Sequence, residues 1–272
     1  MIYRSADRII YDDLIDSACR KWKRAQSISE LMLNVGKYFL GFPYVSNTLE
    51  IESEESLVIN LRGFDCFTFI ENVVVLARQI REEIFTFEDY AAELEKIRYR
   101  NGIVNGYSSR LHYFSDWLFD NERKGVVKDI TGEKGGEPFL KEINFMTMHR
   151  DDYTGLSTDG SFRDMKTVEM NLSGRSLSYI KKAELRRFEN GIENGDLIAV
   201  TTGIEGLDVV HVGLAVRIGR RIHLLHASKI EKMIVLSVTT LYQYLSRRKM
   251  MTGIMVGRVN PVCQNDDNLL MA

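Results

Sequence analysis

The stretch Leu61–Ile80, LRGFDCFTFIENVVVLARQI, decides how the rest of this sequence is interpreted. After Asp65, a favourable helix-capping residue, its apolar residues recur at helical spacing and predict a buried helix. Burial explains the apolar residues but not a thiol at the first position of the helix. At that position the free N–H groups of the helix end stabilise a thiolate. The pattern therefore predicts a helix over about residues 65–81 that begins with a nucleophile, Cys66, rather than with a small core residue. Glu71, a charge on this apolar helix, must be either ion-paired or exposed.

The composition is that of an ordinary globular chain. Its 272 residues are 44% hydrophobic and 27% charged, and the net charge of −2 gives no electrostatic reason to bind nucleic acid. No apolar run reaches the length of a transmembrane segment. Three cysteines do not make a disulfide framework. Cys19 lies on the apolar face of a predicted helix and Cys263 in a polar tail, so only Cys66 has a setting that suggests chemistry.

Helical periodicity prevails in the N-terminal half of the chain. Helices are expected within about residues 1–60, again over 87–100, and after the loop NGIVNGYSS over about 110–123. Ser108 or Ser109 is the expected cap of the last of these helices.

The second half of the chain lacks this regular helical periodicity. An insert of about residues 101–175, rich in glycine and charge between 125 and 160, is interpreted as long loops with short elements. Short β-branched segments separated by turn residues over about 195–260 predict an antiparallel sheet. The segregation of helices and strands predicts one α+β domain over residues 1–272, with helices packed on one side of the sheet.

A thiol nucleophile needs a base to take its proton and a third polar group to orient that base. His211 and His226 lie at the ends of neighbouring strand segments, and a hairpin between these segments would bring them side by side. His223 is an odd number of residues from His226 and therefore faces the other side of the strand. We predict a catalytic set of Cys66, His211 and His226, and expect His149 and His223 to be structural.

The order of these motifs resembles that of the NlpC-type, papain-like cysteine peptidases of bacterial cell walls. The motifs are Asp65-Cys66, Gly195-Asp196-Leu197, His211-Val212-Gly213 and Leu225-His226-Ala227. The segments GFPYVSNTLE, DCFTFIEN and YSSRLHYFSDW resemble, more narrowly, the N-acetylmuramoyl-L-alanine amidase-like branch of that superfamily. The resemblance covers about residues 41–259. It implies a papain-like core whose nucleophile helix packs on the antiparallel sheet, with extra N-terminal helices and a long loop insert.

The resemblance also implies roles for the candidate residues. Cys66 would attack the amide between N-acetylmuramic acid and L-alanine to form a thioester, while His211 carries the proton and His226 fixes the tautomer of His211. The backbone N–H of Cys66 would stabilise the oxyanion. In the superfamily a tyrosine ahead of the cysteine helps there, and Tyr44 matches it; an aromatic that only packs in the turn is the alternative. Phe67 stands where the superfamily more often has a small residue, so it narrows the expected pocket.

The segment YSSRLHYFSDW offers candidate substrate contacts. Arg110 can clasp a carboxylate, Tyr107 can stack on a sugar ring, and Ser109 can donate a hydrogen bond to the sugar. The structural alternative is a capped helix with a pair between His112 and Asp116 one turn apart.

Other functions are compatible with the same motifs. The fold can cut further along the stem peptide as a γ-D-glutamyl–diamino acid endopeptidase, and the thiol can serve an acyltransferase whose thioester meets a different acceptor. A binding module without turnover is a third possibility. A metal site is disfavoured because closely spaced ligand pairs on one face are lacking. We therefore expect no metal and no cofactor.

The expected partners are peptidoglycan fragments (muropeptides), bound by a monomer. The N-terminal segment has no apolar signal core. Because the superfamily is mostly exported, we expect a location in the bacterial cell envelope, the periplasm, after removal of a signal. A cytoplasmic location is the alternative.

Overall fold

The first two helices follow their sequence patterns. A computed structural model describes residues 1–22, 27–50 and 54–261, so Cys263 lies outside the described residues. Helix α1 spans Ser5–Lys21 and helix α2 spans Ile28–Tyr38. The Ser27 hydroxyl caps α2 by accepting a hydrogen bond from the N–H of Glu30.

Helix α3 spans Cys66–Glu82 and occupies the centre of the molecule. Asp65 caps it as predicted, because its Oδ1 accepts hydrogen bonds from the N–H groups of Phe67 and Thr68 at 3.0 and 2.8 Å. The Thr68 hydroxyl in turn accepts from the N–H of Asp65 at 3.1 Å. All residues from Phe69 to Ala77 are buried, in agreement with the apolar pattern of the sequence.

The remaining helices are α4 (Phe87–Arg98), α5 (Phe114–Arg123), α6 (Phe145–Met148), α7 (Asp159–Ser173), α8 (Leu185–Phe188) and α9 (Leu241–Ser246). The strands are β1 (Val127–Asp129), β2 (Glu137–Pro138), β3 (Ser178–Lys181), β4 (Leu197–Thr202), β5 (Val209–Ile218), β6 (Arg221–Ser228), β7 (Met233–Thr240) and β8 (Met251–Val259). The strands run antiparallel in the order β2-β3-β8-β4-β5-β6-β7, and β1 pairs with β8. Strands β4 to β8 and the short helix α9 confirm the predicted C-terminal sheet. Among the described residues, no helix has the length and apolarity to cross a membrane.

Both faces of the sheet are covered, whereas the sequence predicted helices on one side only. Along β5, Val212 and Leu214 pack into the larger core that contains α2, α3 and α4. Ala215 of the same strand belongs to a second cluster with Leu241 and Leu245 of α9. The alternation of side chains along the strand therefore serves two cores. The short helices α8 and α9 supply the second layer.

Helix α5 begins later than the sequence predicted, and no serine caps it. Tyr107–Ser109 form a single 3₁₀ turn, and Arg110 forms an isolated antiparallel bridge with Tyr99 before the helix starts at Phe114. The Ser109 hydroxyl instead accepts from the N–H of Asn105 and donates to the carbonyl of Gly106. These local bonds satisfy the serine without a helix, which is a common alternative use of this residue type.

The insert is more ordered than the prediction of long loops. It contains α7, a helix of 15 residues capped by Thr158, as well as the strands β1 and β2. Met165 and Leu172 of α7 are buried, while most of the helix is polar and exposed. With so few apolar positions the 3.6-residue period is weak in the sequence, which explains why the helix was missed.

Candidate active site

Cys66 lies at the first position of α3, where the helix meets the backbone of β5. It is half-buried, and the N–H groups of Val212, Cys66 and Phe67 surround the sulfur. Burial, followed by the negative charge of Asp65, nevertheless raises the pKa of the Cys66 thiol to about 12, although the three N–H groups lower it. The expected thiolate stabilisation at the helix end is thus outweighed by loss of solvent. Near pH 7 the side chain of Cys66 is therefore a neutral thiol.

The predicted histidine pair is assembled by the β5–β6 hairpin. Nε2 of His211 lies 2.7 Å from Nδ1 of His226, with the two rings nearly perpendicular. Burial and the neighbouring charges of His226 and Arg248 lower the pKa of His211 to about 3. Burial and Arg248 lower the pKa of His226 to about 4. Both imidazoles are therefore neutral near pH 7.

This hydrogen bond determines which nitrogen of His211 remains for another partner. Because Nε2 of His211 is engaged with His226, that nitrogen is Nδ1. A neutral His211 that accepts at Nδ1 carries its hydrogen on Nε2 and donates it to Nδ1 of His226. His226 then carries its own hydrogen on Nε2.

Gly213 of the HVG motif allows the two strands to approach at the histidine pair. A Cβ at this position would lie 2.9 Å from Cβ of His226 and 3.1 Å from the carbonyl oxygen of Leu225. Any side chain there would push His226 away from His211. The glycine is thus part of the geometry of the pair.

Tyr44 is placed beside the thiol by the turn that precedes α3. Its N–H bonds to the carbonyl of Lys232, and its backbone forms a parallel bridge with Phe64. Gly63 permits this contact, because a Cβ there would lie 2.6 Å from Cγ2 of Val45. Burial, then the charges of Cys66 and Asp65, raise the pKa of Tyr44 to about 12, so its hydroxyl keeps its proton.

Tyr244 and Arg248 of the α9 region also belong to this site, and the sequence did not single them out. The Tyr244 ring lies 5.8 Å from the ring of His211 and 5.6 Å from that of His226, measured between centroids. Burial raises the pKa of Tyr244, and the charge of Cys66 adds to the rise. Their spacing of four residues corresponds to one helical turn, but the sequence does not indicate which strands such a helix would contact.

The other histidines have backbone partners, as expected for structural residues. His223 Nδ1 lies 2.9 Å from the carbonyl oxygen of Ser237, and His149 Nδ1 lies 2.8 Å from that of Phe145. In the part of the chain that the structure describes, no group of three or more His, Cys, Asp or Glu residues could hold a metal ion.

Arg110 is directed into the protein rather than left free for a ligand. It is 4% exposed, and its guanidinium donates to the carbonyl of Leu49 at 2.8 Å and to Oε1 of Glu50 at 2.5 Å. Glu55 lies 3.8 Å from its Nε. A substrate carboxylate would have to replace Glu50, so the predicted clasp is occupied in this structure.

The ring of Tyr107 is also largely covered by other residues of the protein, which leaves little of its face for a sugar. The guanidinium carbon of Arg110 lies 4.9 Å from its ring centroid, and the ring of His112 lies 4.4 Å away. A Cβ on Gly155 would lie 2.1 Å from the Tyr107 ring, so the insert covers another side of the ring.

The proposed pair between His112 and Asp116 is wrong: His112 bonds to the carbonyl of Tyr107, and Asp116 pairs with two arginines, Arg100 and Arg175.

Glu71 is buried and paired rather than exposed. Its Oε2 lies 2.8 Å from Nε of Arg98 on α4, and neither side chain is more than 2% exposed. Burial raises the pKa of Glu71, and the Arg98 charge opposes that rise. The ion pair joins α3 to α4 behind the candidate site.

Comparison with known proteins places this chain in a family. Residues 34–254 match the model of the AmiA-like, N-acetylmuramoyl-L-alanine amidase-like family. The chain belongs to the N-acetylmuramoyl-L-alanine amidase-like family. Cys66, His211 and His226 all lie within the matched region of this amidase-like chain.

Solved structures agree with the amidase-like fold. The chain is 36% identical to an N-acetylmuramoyl-L-alanine amidase from Bacteroides uniformis, covering 86% of this chain and 99% of that one, with a TM-score of 0.81. It is 38% identical to a Bacteroides fragilis protein provisionally named a xylanase, covering 83% and 99%, with a TM-score of 0.78. A Legionella pneumophila protein of 22% identity, covering 96% of both chains with a TM-score of 0.68, shares the fold. A comparison with curated proteins found no match.

Proposed function

We propose that this protein is a peptidoglycan amidase with an NlpC-type, papain-like core, which hydrolyses the amide between N-acetylmuramic acid and L-alanine of muropeptides. The observation that carries the proposal is the 2.7 Å contact between His211 and His226 in the site that contains Cys66. A thiol at a helix start with an oriented imidazole is the arrangement that acyl transfer requires. Membership of the amidase-like family supports the choice of bond.

The first step is the attack of Cys66 on the lactyl carbonyl of muramic acid. The thiol gives its proton to Nδ1 of His211 as the sulfur–carbon bond forms, and the imidazolium is stabilised through its Nε2–H by Nδ1 of His226. The carbonyl oxygen becomes an oxyanion. The N–H of Cys66 and the protonated hydroxyl of Tyr44 are the donors that we assign to it.

The second half of the reaction returns the enzyme to its starting state. His211 donates its proton to the nitrogen of L-alanine, the amide bond breaks, and the peptide leaves with a free amine. His211 then removes a proton from water, the hydroxide attacks the thioester, and the sulfur leaves and is reprotonated. The products are the lactyl carboxylate of muramic acid and the stem peptide.

Two of the structural relatives carry different names, an amidase and a xylanase, and the side chains of the candidate site favour the first activity. A glycosidase of the usual kind needs two carboxylates that flank a glycosidic bond. The carboxylate next to Cys66, that of Asp65, is held by the amides of the first turn of α3. The thiol and the two imidazoles favour amide hydrolysis.

We assign Tyr107 to the wall of a cavity of about 640 Å³, and Ser109 and Arg110 support this wall through their bonds to the lining residues Asn105 and Glu50. Tyr107 lines it together with Glu50, Asn105, Thr154 and Ser157, among other residues. Arg110 supports this wall by its bonds to Leu49 and Glu50. We propose that these residues shape the substrate cleft, and that direct clasping of a carboxylate by Arg110 requires displacement of Glu50.

The substrate class suggests where the protein works. Muropeptides arise at the bacterial cell wall, so we propose that the protein acts in the periplasm as a monomer, after removal of a signal. Fractionation of the native cells tests this location, and a protein found wholly in the cytoplasm would contradict it.

The bond that is cleaved can be identified by mass spectrometry of digests. We expect N-acetylmuramoyl tripeptide to yield N-acetylmuramic acid and a free tripeptide, and the same tripeptide without sugar to stay intact. Cys66→Ala should remove the activity, whereas Cys19→Ala, at a cysteine of α1, should retain it. Release of the diamino acid from the sugar-free tripeptide would promote the endopeptidase, and transfer to an added amine in preference to water would promote the acyltransferase.

A further inference from the structure

A cavity of about 610 Å³ lies beside the histidine pair and has no part in the steps above. Its lining includes His226 and Ser228 of β6, Ser237 of β7, and Tyr244 of α9. His226 and Tyr244 are also members of the candidate active site. The cavity and the site therefore share two side chains, and a molecule that fills the cavity lies next to His226 and Tyr244.

Two arginines at the end of α9 give this cavity a positive character. Arg248 is half-buried, its guanidinium carbon lies 3.9 Å from the ring centroid of Tyr244, and it donates a hydrogen bond to the Tyr244 carbonyl at 2.9 Å. Arg247 lines the cavity as well and is exposed. Within the described ranges, neither arginine takes part in an ion pair with a carboxylate. Glu231, which is exposed, is the acidic residue of the lining.

A half-buried guanidinium without a carboxylate partner suits the recognition of an anionic group. Arginine presents a planar fork of donors that matches a carboxylate, and such charge-assisted hydrogen bonds are stronger than neutral ones. Stacking on Tyr244 holds Arg248 in one orientation, so little freedom is lost when a ligand binds. Most other arginines with low exposure in this protein already have carboxylate partners, such as Arg98 with Glu71.

We propose that this cavity binds the peptide side of the substrate, and that Arg248 recognises a carboxylate on the residue that follows L-alanine. Arg247 assists from the exposed side. The inference rests on the proposed function, in which Cys66 has a sugar on one side and an acidic peptide on the other. Because the cavity adjoins His226 and Tyr244, a peptide that leaves the reacting centre reaches the two arginines directly.

The test compares N-acetylmuramoyl-L-alanyl-D-glutamate with its diamide, in which both carboxylates are carboxamides. We expect the parent protein to have a kcat/KM about 10- to 100-fold higher for the acid, the range that one charged hydrogen bond confers. Arg248→Gln should bring the ratio of the two kcat/KM values close to one, because kcat/KM falls much more for the acid than for the diamide. Arg186→Gln is the matched control, because Arg186 stacks on Tyr242 of the same helix at 4.1 Å and is not part of the cavity lining.

Other outcomes overturn the assignment. An equal loss on both substrates would show that Arg248 acts on the histidine pair and not on the carboxylate. Equal kcat/KM values of the parent protein for the acid and the diamide would show that the cavity does not recognise the charge of the carboxylate.

If neither substrate is cleaved, the proposed function fails, and a binding measurement still decides the role of the cavity. Calorimetric titration of the Cys66→Ala protein with L-alanyl-D-glutamate and with its diamide reports on the arginines directly. Preferential binding of the acid that disappears in Cys66→Ala/Arg248→Gln supports the cavity. Equal binding of both compounds, or binding of neither, overturns it.

Discussion

Among single residues, the two histidines of the pair should have the largest effects on activity when they are replaced. His211→Ala should lower kcat/KM on the order of 10⁴-fold, as for knockouts of other catalytic sets, because proton transfer itself is lost. His226→Ala should cost less, since a misaligned base remains. Steady-state kinetics on a muramyl peptide measure both.

His223→Ala is the internal control for this comparison. His223 lies on the same strand as His226 but bonds to the carbonyl of Ser237, so its loss should leave kcat/KM nearly unchanged. If the His223 variant were as inactive as the His211 variant, the assignment of roles along β6 would be wrong.

The lowered pKa values of the pair predict an unusual pH dependence of activity. A base with a pKa near 6.5 would lose activity below that pH, whereas burial and the Arg248 charge keep His211 neutral to about pH 3. We therefore expect the acidic limb of kcat/KM to lie below about pH 5. A limb near 6.5 would contradict a buried neutral base.

The same shifts give a stability prediction of definite sign. Between about pH 6.5 and 4 the unfolded chain binds protons on these histidines and the folded chain does not, so the free energy of unfolding should fall as the pH falls. A His211→Gln/His226→Gln variant should lose stability less steeply over this range in thermal melts. Equal slopes for parent and variant would mean that the pair is not buried in the neutral form.

Gly213 tests whether close strand approach positions the pair. Gly213→Ala places a Cβ 2.9 Å from that of His226. We expect kcat/KM to fall by about 100-fold, the effect of a displacement near 1 Å, with a modest fall in melting temperature. Gly203→Ala is the control, because its nearest neighbour would be Cε of Met250 at 3.5 Å, an ordinary contact. Full activity of the Gly213 variant would show that the glycine has no part in positioning.

At this scale the sequence placed some residues well and missed others for a physical reason. The side-chain alternation of strands is a local property, so His211, His226 and His223 were assigned to their faces correctly. Tyr244 and Arg248 reach the site because α9 packs on the sheet. The local sequence pattern carries no information about this packing. The pKa of Cys66 combines burial, which raises it, with the helix-end N–H groups, which lower it, and burial is not a local property of the sequence.

Among the elements, α3 depends on the ion pair between Glu71 and Arg98. Glu71→Ala leaves a buried arginine without its partner and should cost about 3–5 kcal/mol of the free energy of unfolding. A Glu71→Leu/Arg98→Met variant should recover much of this loss, because it removes both charges. Urea denaturation followed by circular dichroism measures these differences.

An exposed ion pair provides the control. Arg8 and Glu88 lie 2.8 Å apart with both side chains largely exposed, so Glu88→Ala should leave stability nearly unchanged. A cost at Glu71 no greater than that at Glu88 would show that the buried pair does not hold α3 to α4.

Elements with a strong apolar period were predictable and elements with a weak one were not. Helix α3 buries a long apolar pattern and matches its predicted bounds closely, and strands β4 to β8 lie within the region predicted as a sheet. Helix α7 buries few residues, so its period is faint. The start of α5 was misplaced because Ser109 bonds locally in a turn, an outcome that a serine before a helix permits as readily as a cap.

For the whole molecule, the α+β arrangement followed from the segregation of helices and strands along the chain. The cover on the second face of the sheet did not, because nothing in the sequences of the short helices α8 and α9 shows on which face of the sheet they pack. In the proposed function this second layer contributes to the substrate site, since it carries Tyr244 and ends at the two arginines of the cavity. The insert likewise serves the molecule as packed structure against Tyr107 and not as loose loops alone.

The central claim is that Cys66 carries the muramyl group as a thioester during the reaction. Intact-protein mass spectrometry of samples quenched with acid during turnover of N-acetylmuramoyl tripeptide measures this intermediate directly. We expect an adduct with the mass of the N-acetylmuramoyl group alone, located on the peptide that contains Cys66 and missing in Cys66→Ala. An adduct that retains L-alanine and D-glutamate with the sugar, or turnover by the Cys66→Ala protein, would contradict it.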